Sequence, residues 1–314
     1  MSAMAEPVLI REVGLRDGLQ MAKTVLSTAQ KLDFARSAVA AGLREIEATS
    51  FMPAHVIPQF ADAAEVAAGA KVLAGATVSA LVVNLKGAIR AFDTGLRKIN
   101  YVVSASEAHS LANARRSADA ALAEFGLIVA ERRSRNLDGQ VVLGCGIATA
   151  FGCTLQGEVP EARVVAIAEM LAREGADEIM AADTVGYGDP RQVRHMFEAL
   201  CRTVGIIPLA AHFHDTRGLG LANVAAALEA GVRRFDASLG GLGGCPFAPG
   251  ATGNIGTEDC AFMLEAMGFD TGIEIEALLA LRRRLESWLP DERFSAGIAR
   301  AGLPKTFRRM AAPG

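Results

Sequence analysis

The chain has 314 residues, of which 51% are hydrophobic and 21% charged, and its formal net charge is −3. This composition excludes an intrinsically disordered chain, and it argues against a nucleic-acid partner, because nucleic-acid binding favours a basic balance. Although the mean hydropathy is positive, charged residues or glycines interrupt each apolar stretch before the roughly 20 residues that a membrane span requires. We therefore expect neither nucleic-acid binding nor association with a membrane.

The first residues and the cysteines indicate the compartment. The segment MSAMAEPVLIRE lacks the basic region followed by an apolar core that marks a secretory signal. The 5 cysteines form no CxxC pair, which is typical of a reducing environment. These features predict a cytoplasmic protein.

Short apolar runs alternate with longer amphipathic segments along the chain. The runs predict strands at 8–14, 44–51, 77–83, 99–106, 141–151, 178–186, 208–215 and 235–243. Helical patterns separate them, and several end at a glycine, which adopts the left-handed conformation easily. This series of strand-then-helix units predicts an α/β fold, a (β/α)8 TIM barrel.

A doubly wound open sheet is the rival fold, but the chain reads GLRDGLQ after the first strand, without the GxGxxG turn that such a sheet uses for phosphate. We assign residues 1–272 to the barrel. We expect residues 273–314 to form a C-terminal helical extension on or near it. The RRR run at 282–284 indicates a solvated helix face.

Polar residues gather where the predicted strands end, which is the face that carries the active site of a barrel. His212 and His214 form an HxH pair, and because side chains alternate along a strand, both imidazoles point the same way. They could be a hydrogen-bonded core pair, but Asp17 and Asn254 at neighbouring strand ends favour a shared metal ion. This donor set without a thiolate predicts Mg²⁺ or Mn²⁺, with zinc as the alternative.

Two further side chains indicate catalysis. Cys245 lies in the glycine-rich segment 240–254, and we interpret it as a proton donor or acceptor rather than an incidental thiol. Arg16 precedes Asp17 at a strand end, where a buried charge is costly unless it is paired or used. It could pair with Glu47, and it could also donate hydrogen bonds to a carbonyl oxygen that gains negative charge.

Six segments carry a resemblance to a known family: EVGLRDGLQ (12–20), IEATSF (46–51), NLKG (84–87), ADTVGYG (182–188), HFHDTRGLGLAN (212–223) and GLGGCPFAPGATGNIGTED (241–259). Through them the chain resembles the 3-hydroxy-3-methylglutaryl-CoA lyases, which are metal-dependent TIM-barrel enzymes. The resemblance extends from about Val8 to Gly272, and the last segment is long and specific.

The resemblance implies a role for individual residues. The family's metal ligands correspond to Asp17, His212, His214 and Asn254. Its catalytic arginine and cysteine correspond to Arg16 and Cys245, and its supporting acids to Glu47 and Asp183. We expect Asp17, with His212 nearby, to take a proton from the substrate.

The resemblance also implies an acyl-CoA substrate and a homodimer. Asn84 corresponds to a family position near the acyl-CoA site. Lys23 and Lys86, together with Arg90, are our candidates for holding the CoA phosphates. The implied reaction is a divalent-metal-dependent retro-Claisen cleavage of 3-hydroxy-3-methylglutaryl-CoA to acetyl-CoA and acetoacetate.

Several positions depart from the family pattern. Leu15 replaces the usual proline, GLQMA (18–22) replaces GLQNE, and GCTLQG (152–157) replaces GCPYEG. One alternative is therefore a lyase for a related 3-hydroxyacyl-CoA, such as citramalyl-CoA or a longer branched 3-hydroxyglutaryl-CoA. A condensing synthase, and a barrel that only binds a partner, are further alternatives.

Overall fold

The computed structural model describes residues 5–244 and 253–307. Within these ranges, parallel strands close into a barrel in the order in which they occur along the chain. The strands are β1 (Leu9–Glu12), β2 (Glu45–Ser50), β3 (Thr77–Leu81), β4 (Lys98–Ser104), β5 (Val142–Ala148), β6 (Glu178–Asp183), β7 (Leu209–Phe213) and β8 (Arg234–Ala237). The predicted (β/α)8 TIM barrel is confirmed.

Helices follow the strands and cover the outside of the barrel. They are α1 (Thr28–Ala40), α2 (Ala63–Ala70), α3 (Leu85–Asp93), α4 (Glu107–Ala114), α5 (Ala118–Ser134), α6 (Glu161–Glu174), α7 (Pro190–Val204), α8 (Gly220–Glu229), α9 (Thr257–Ala266), α10 (Ile275–Trp288) and α11 (Ile298–Ala301). Local sequence sets their ends: Ser27 and Gln30 form a capping box before α1, and Gly175 ends α6 with φ 109°. No helix of the described part of the chain is long and apolar enough to cross a bilayer.

Several strands are shorter than the sequence predicts, and the difference lies at their carboxyl ends. β6 stops at Asp183 because its carboxylate accepts hydrogen bonds from the backbone of Tyr187 and Gly188, which turns the chain. β8 stops at Ala237, and Gly240 follows with φ 71°. The residues past each strand therefore form the loops that surround the mouth of the barrel.

The interior at the amino-terminal end of the barrel is charged, which the sequence analysis did not predict. Arg11 lies 2.9 Å from both Glu178 and Asp236, and Lys98 lies 2.7 Å from Glu45 and 2.8 Å from Glu178. Burial alone would raise the pKa of Glu178, but the Arg11 and Lys98 charges outweigh it and lower that pKa to about 2. Each buried charge thus has an opposite charge beside it, as a low-dielectric interior requires.

Helix α10 packs against the barrel through charged residues. Arg284 donates to Asp33 of α1 at 2.8 Å, and Arg282 donates to Glu258 of α9 at 2.6 Å. Arg282 is buried, so the prediction of a solvated face for the whole RRR run is wrong at this residue, where an ion pair with the barrel replaces water. The division into two domains at residue 272 stays a prediction.

Candidate active site

A tight turn after β1 carries two of the predicted site residues. The carbonyl of Val13 accepts from the amides of Arg16, Asp17 and Gly18, which makes residues Gly14–Gly18 a π-helical turn. This turn directs Arg16 and Asp17 into one cavity at the carboxyl end of the barrel. A π turn at such a place is typical of a functional site.

Glu12 holds this turn in place. One of its carboxylate oxygens accepts from the amides of Gly14 and Leu239, at 2.7 and 3.0 Å, and the other accepts from the Thr257 hydroxyl at 2.6 Å. Burial raises the pKa of Glu12 to about 7, although these hydrogen bonds act in the opposite direction. Glu12 therefore ties the loop after β1 to the loop after β8.

Three of the predicted metal ligands converge. Ligand atoms of Asp17, His212 and His214 all lie within 4.8 Å of one another, and the two imidazole centroids are 5.0 Å apart. Asn254 is distant from Asp17 along the chain, and its side-chain amide donates to Asp17 Oδ2 at 2.7 Å. Asp17 and the two histidines stand at the ends of β1 and β7, and Asn254 follows β8 along the chain and forms a β-bridge with His214.

The residues at this place fit a divalent metal ion. Asn254 donates its amide hydrogens to Asp17 and to the Leu242 carbonyl, which leaves its buried Oδ1 without a hydrogen-bond partner in the described ranges. The buried Nδ1 of His214 likewise has none within residues 5–244 and 253–307. One carboxylate, two imidazoles and one amide oxygen form a mixed donor set that suits Mg²⁺, Mn²⁺ or Zn²⁺.

The charges around these residues keep Asp17 ionised. Burial would raise the pKa of Asp17, but the adjacent Arg16 charge and the two histidines outweigh it and hold that pKa well below its usual range. Burial would lower the pKa of His212, and the hydrogen bond to Asp236 raises it above its usual value. An ionised carboxylate beside two imidazoles is the charge distribution that a cation stabilises.

Asp236 on β8 is a site residue that the sequence analysis missed. Its Oδ2 lies 3.1 Å from His212 Nδ1, and its Oδ1 lies 2.9 Å from Arg11 Nε. A carboxylate on the second nitrogen of a ligating histidine fixes the ring orientation and the tautomer. The signal that could have found it is an acidic residue inside the eighth apolar run, whose register places it beside His212.

Arg16 forms the ion pair with Glu47 that the sequence predicted. Its Nε donates to Glu47 Oε2, and its Nη1 donates to Asp17 Oδ1 at 2.6 Å. Asn100, which the sequence analysis did not single out, donates to the other Glu47 oxygen at 2.7 Å. These contacts fix the plane of the guanidinium at the wall of the cavity.

The main cavity, of about 330 Å³, joins these residues to the opposite side of the barrel. Arg16, Asp17, His212 and His214 line one side, together with Gln20, which the sequence analysis missed; Thr184, directly after β6, also lines the cavity. On the other side, on β4, β5 and β6, the lining includes five uncharged residues that we call the apolar wall: Val102, Gly146, Ala148, Met180 and Ala182.

The other predicted residues lie in different places. Asp183 does not line the main cavity, because its carboxylate accepts from the turn at Tyr187 and Gly188. Its carbonyl lies 3.3 Å from the His214 amide, so it supports the strand end that carries this ligand. Cys245 belongs to 245–252, outside the described residues.

The predicted CoA-binding residues separate in the structure. Asn84 begins α3, accepts from the Gly87 amide at 2.8 Å, and lines the main cavity. It also lines a second pocket with Lys86 and Arg90. Lys23 lines neither cavity, and its backbone amide donates to Glu292 at 2.7 Å.

Comparisons with known proteins identify the family of the chain. Residues 8–285 match the family model described as HMGL-like. The chain is 38% identical to the hydroxymethylglutaryl-CoA lyase of Bacillus subtilis, over 89% of this chain and 92% of that protein. It is 36% identical to the hydroxymethylglutaryl-CoA lyase of Pseudomonas mevalonii, over 96% of this chain and 98% of that protein.

A solved structure is similar over almost the whole chain. It is an HMG-CoA lyase from Acinetobacter baumannii in complex with coenzyme A and 3-methylmalate, with a TM-score of 0.90 and 39% identity over 99% of this chain and 100% of that one. The chain described here therefore belongs to the HMGL-like family, that of the hydroxymethylglutaryl-CoA lyases.

Proposed function

We propose that the protein is a carbon–carbon lyase that cleaves 3-hydroxy-3-methylglutaryl-CoA to acetyl-CoA and acetoacetate. The observation that carries this proposal is the convergence of Asp17, His212 and His214 within 4.8 Å, with Arg16 lining the same cavity. The names of the relatives support the same reaction.

The cofactor in this proposal is Mg²⁺ or Mn²⁺, and Asp17, His212, His214 and Asn254 would hold it. When bound, such an ion supplies Lewis-acid polarisation of the substrate's hydroxyl. Asp236 orients His212 for this role, because it holds the other ring nitrogen.

Residues of the chain accept the proton that leaves the 3-hydroxyl group of the substrate. The low pKa of Asp17 keeps it ionised, so it accepts the hydrogen bond of the 3-hydroxyl. Asp17 is the candidate base, with His212 nearby; Asp236 occupies one ring nitrogen of His212 and the metal ion would occupy the other, so His212 orients the site rather than taking the proton. Once the hydroxyl loses its proton, the carbinol becomes the ketone of acetoacetate and the bond between C2 and C3 breaks.

The electron pair of that bond moves into the thioester carbonyl and forms the enolate of acetyl-CoA. Arg16 donates hydrogen bonds to this oxygen, and a donor fixed in advance stabilises the developing charge most effectively. Glu47 and Asn100 keep the guanidinium in position. Cys245 then protonates C2, a role that rests on the sequence resemblance.

The CoA phosphates bind in this proposal at the second pocket. Lys86 and Arg90 line it beside the amino-terminal end of α3, where the helix dipole also favours an anion. Asn84 lines both cavities and so stands where the thioester arm would pass between them. Lys23 lies outside both, and Lys86 is therefore the stronger candidate.

A coupled assay of acetyl-CoA release tests the proposal. The protein is treated with a chelator and assayed on 3-hydroxy-3-methylglutaryl-CoA with and without added Mg²⁺ or Mn²⁺. We expect release only with metal, and we expect His214→Ala to weaken Mn²⁺ binding measured by calorimetry. His195→Ala, at an exposed histidine of α7, is the matched control. Metal-saturated protein that releases no acetyl-CoA would contradict the proposal.

A second candidate substrate is a related 3-hydroxyacyl-CoA, such as citramalyl-CoA or a longer branched 3-hydroxyglutaryl-CoA. The observation that favours it is the GCTLQG loop (152–157), in which Leu155 is exposed. The related structure from Acinetobacter baumannii holds 3-methylmalate, a hydroxy acid other than the 3-hydroxy-3-methylglutaryl group. The same assay with these thioesters separates the candidates.

A further inference from the structure

The lower row of the apolar wall lies inside the barrel between three strands. Val102 pairs with Gly146, and Gly146 pairs with Met180, so the three residues stand side by side on β4, β5 and β6. Val102 and Met180 are only partly buried, because they face the main cavity. A Cβ on Gly146 would lie 3.0 Å from Met180 Cε and 3.5 Å from Val102 Cγ2. The side chains of Val102 and Met180 therefore flank Gly146 closely, and together they form the floor beneath the cavity.

The upper row lies at the level of the metal ligands. Ala182 pairs with His212 across β6 and β7, and Ser104 pairs with Ala148 across β4 and β5. The alanine side chains end at Cβ, and the Ser104 hydroxyl lies 2.7 Å from His109 Nδ1. Beside His212, three strands therefore present only small side chains, and the one polar group among them already has a protein partner.

The distribution of charge decides how a substrate lies between the two sides. Arg16, Asp17 and the two histidines attract the hydroxyl, the carboxylate and the thioester oxygen of a 3-hydroxyglutaryl thioester. The carbinol carbon has one remaining substituent, and with the polar groups engaged on the charged side this substituent would face the apolar wall. In 3-hydroxy-3-methylglutaryl-CoA it is a methyl group, a single carbon that would meet the upper row before the floor formed by Val102 and Met180.

We propose that the apolar wall binds an unbranched or branched alkyl group of about three to four carbons on the carbinol carbon. This inference rests on the proposed lyase function and names its substrate class: 3-hydroxy-3-alkylglutaryl-CoA thioesters with an alkyl group larger than methyl. Each methylene that the wall buries contributes about fourfold in binding. Arg116 also lines the cavity, and its Nη1 lies 3.4 Å from Glu124, so this cation already has an anionic partner in the protein.

A substrate series tests the proposal on the intact, metal-loaded protein. The thioesters carry methyl, propyl, 2-methylpropyl or carboxymethyl at the carbinol carbon, and acetyl-CoA release gives kcat/KM for each. We expect the propyl and 2-methylpropyl thioesters to equal or exceed the methyl thioester, and the carboxymethyl thioester to be at least tenfold poorer. A methyl or carboxymethyl preference of more than tenfold overturns the inference.

The series also separates this inference from the proposed function. If the methyl thioester alone releases acetyl-CoA, the lyase function stands and the inference about the apolar wall is wrong. If no thioester releases acetyl-CoA, the proposed function itself is wrong.

Two variants locate the effect at the apolar wall. Ala148→Val adds two methyl groups that point into the cavity, and we expect roughly a tenfold to hundredfold loss of kcat/KM on the propyl thioester, through KM, and a smaller loss on the methyl thioester. Ala182→Val is the second variant, and Ala120→Val, at an exposed position of α5, is the control. Thermal melting identifies the variants that fold, and equal losses on both thioesters in a folded variant overturn the inference.

Discussion

The two sides of the main cavity are built on different principles. On the side of β1, β7 and β8, the cavity lining includes charged and metal-ligating groups that partners hold, as Glu47 holds Arg16 and Asp236 holds His212. On β4, β5 and β6, the apolar wall offers no ionisable group. If the two proposals hold, reaction chemistry and acyl selectivity reside on separate strands of one barrel, so substitutions on one side should leave the other side's role in place.

The largest effect on the rate of the reaction is expected from a change at the guanidinium of Arg16. In Arg16→Lys a single ammonium cannot reproduce the planar set of donors that contacts Glu47, Asp17 and the substrate. We expect kcat for acetyl-CoA release to fall by about 10²–10³-fold. Arg194→Lys, in an exposed ion pair with Glu229, is the control and should leave kcat unchanged. A wild-type kcat in Arg16→Lys would show that the charged side does not supply the enolate's stabilisation.

The next effect concerns stability and pH at Glu12. The pKa of Glu12 is raised to about 7 from the ordinary 4.5, so between these values the folded protein binds more protons than the unfolded chain, and stability falls as pH rises. Glu12→Gln can keep all three hydrogen bonds if the Thr257 hydroxyl becomes the acceptor. Between pH 5 and pH 8, we expect the free energy of unfolding of the wild type to fall by on the order of 3 kcal/mol more than that of the variant. Urea unfolding at the two pH values measures this, and parallel losses would contradict the assignment.

A smaller effect is expected at the carboxylate behind His212. Asp236→Asn removes the negative charge from the histidine's second nitrogen, and we expect the Kd for Mn²⁺ to rise by about 10–100-fold. Calorimetric titration of chelator-treated protein measures the change. Asp119→Asn, at an exposed position of α5, is the control. An unchanged Kd would leave Asp236 as a member of the buried ion network alone.

The smallest effect is expected on the opposite side. Met180→Leu conserves volume in the floor of the apolar wall, and such exchanges cost less than about 1.5 kcal/mol in stability. We expect kcat/KM for 3-hydroxy-3-methylglutaryl-CoA to stay within about threefold, since a single methyl group at the level of His212 would meet the upper row of the apolar wall before this floor. A loss of more than tenfold would mean that the apolar wall takes part in holding the reacting atoms.

Local patterns predicted the fold and part of the site. The alternation of apolar runs and amphipathic segments indicated the barrel, and the HxH pair and the RD dipeptide indicated residues that the structure brings together. Asp236 and Asn100 could not be found in this way, because their contacts with His212 and Glu47 depend on the register between strands. The burial of Arg282 depends in the same way on Glu258, a residue of another helix.

The charged interior at the amino-terminal end of the barrel has a consequence for folding. Arg11 and Lys98 lie on the first four strands, whereas Glu178 and Asp236, with which they form ion pairs, lie on the last four. These pairs form only when β1 and β4 stand in the same ring as β6 and β8. Either half of the barrel alone would therefore bury charges without these partners, which is costly in free energy.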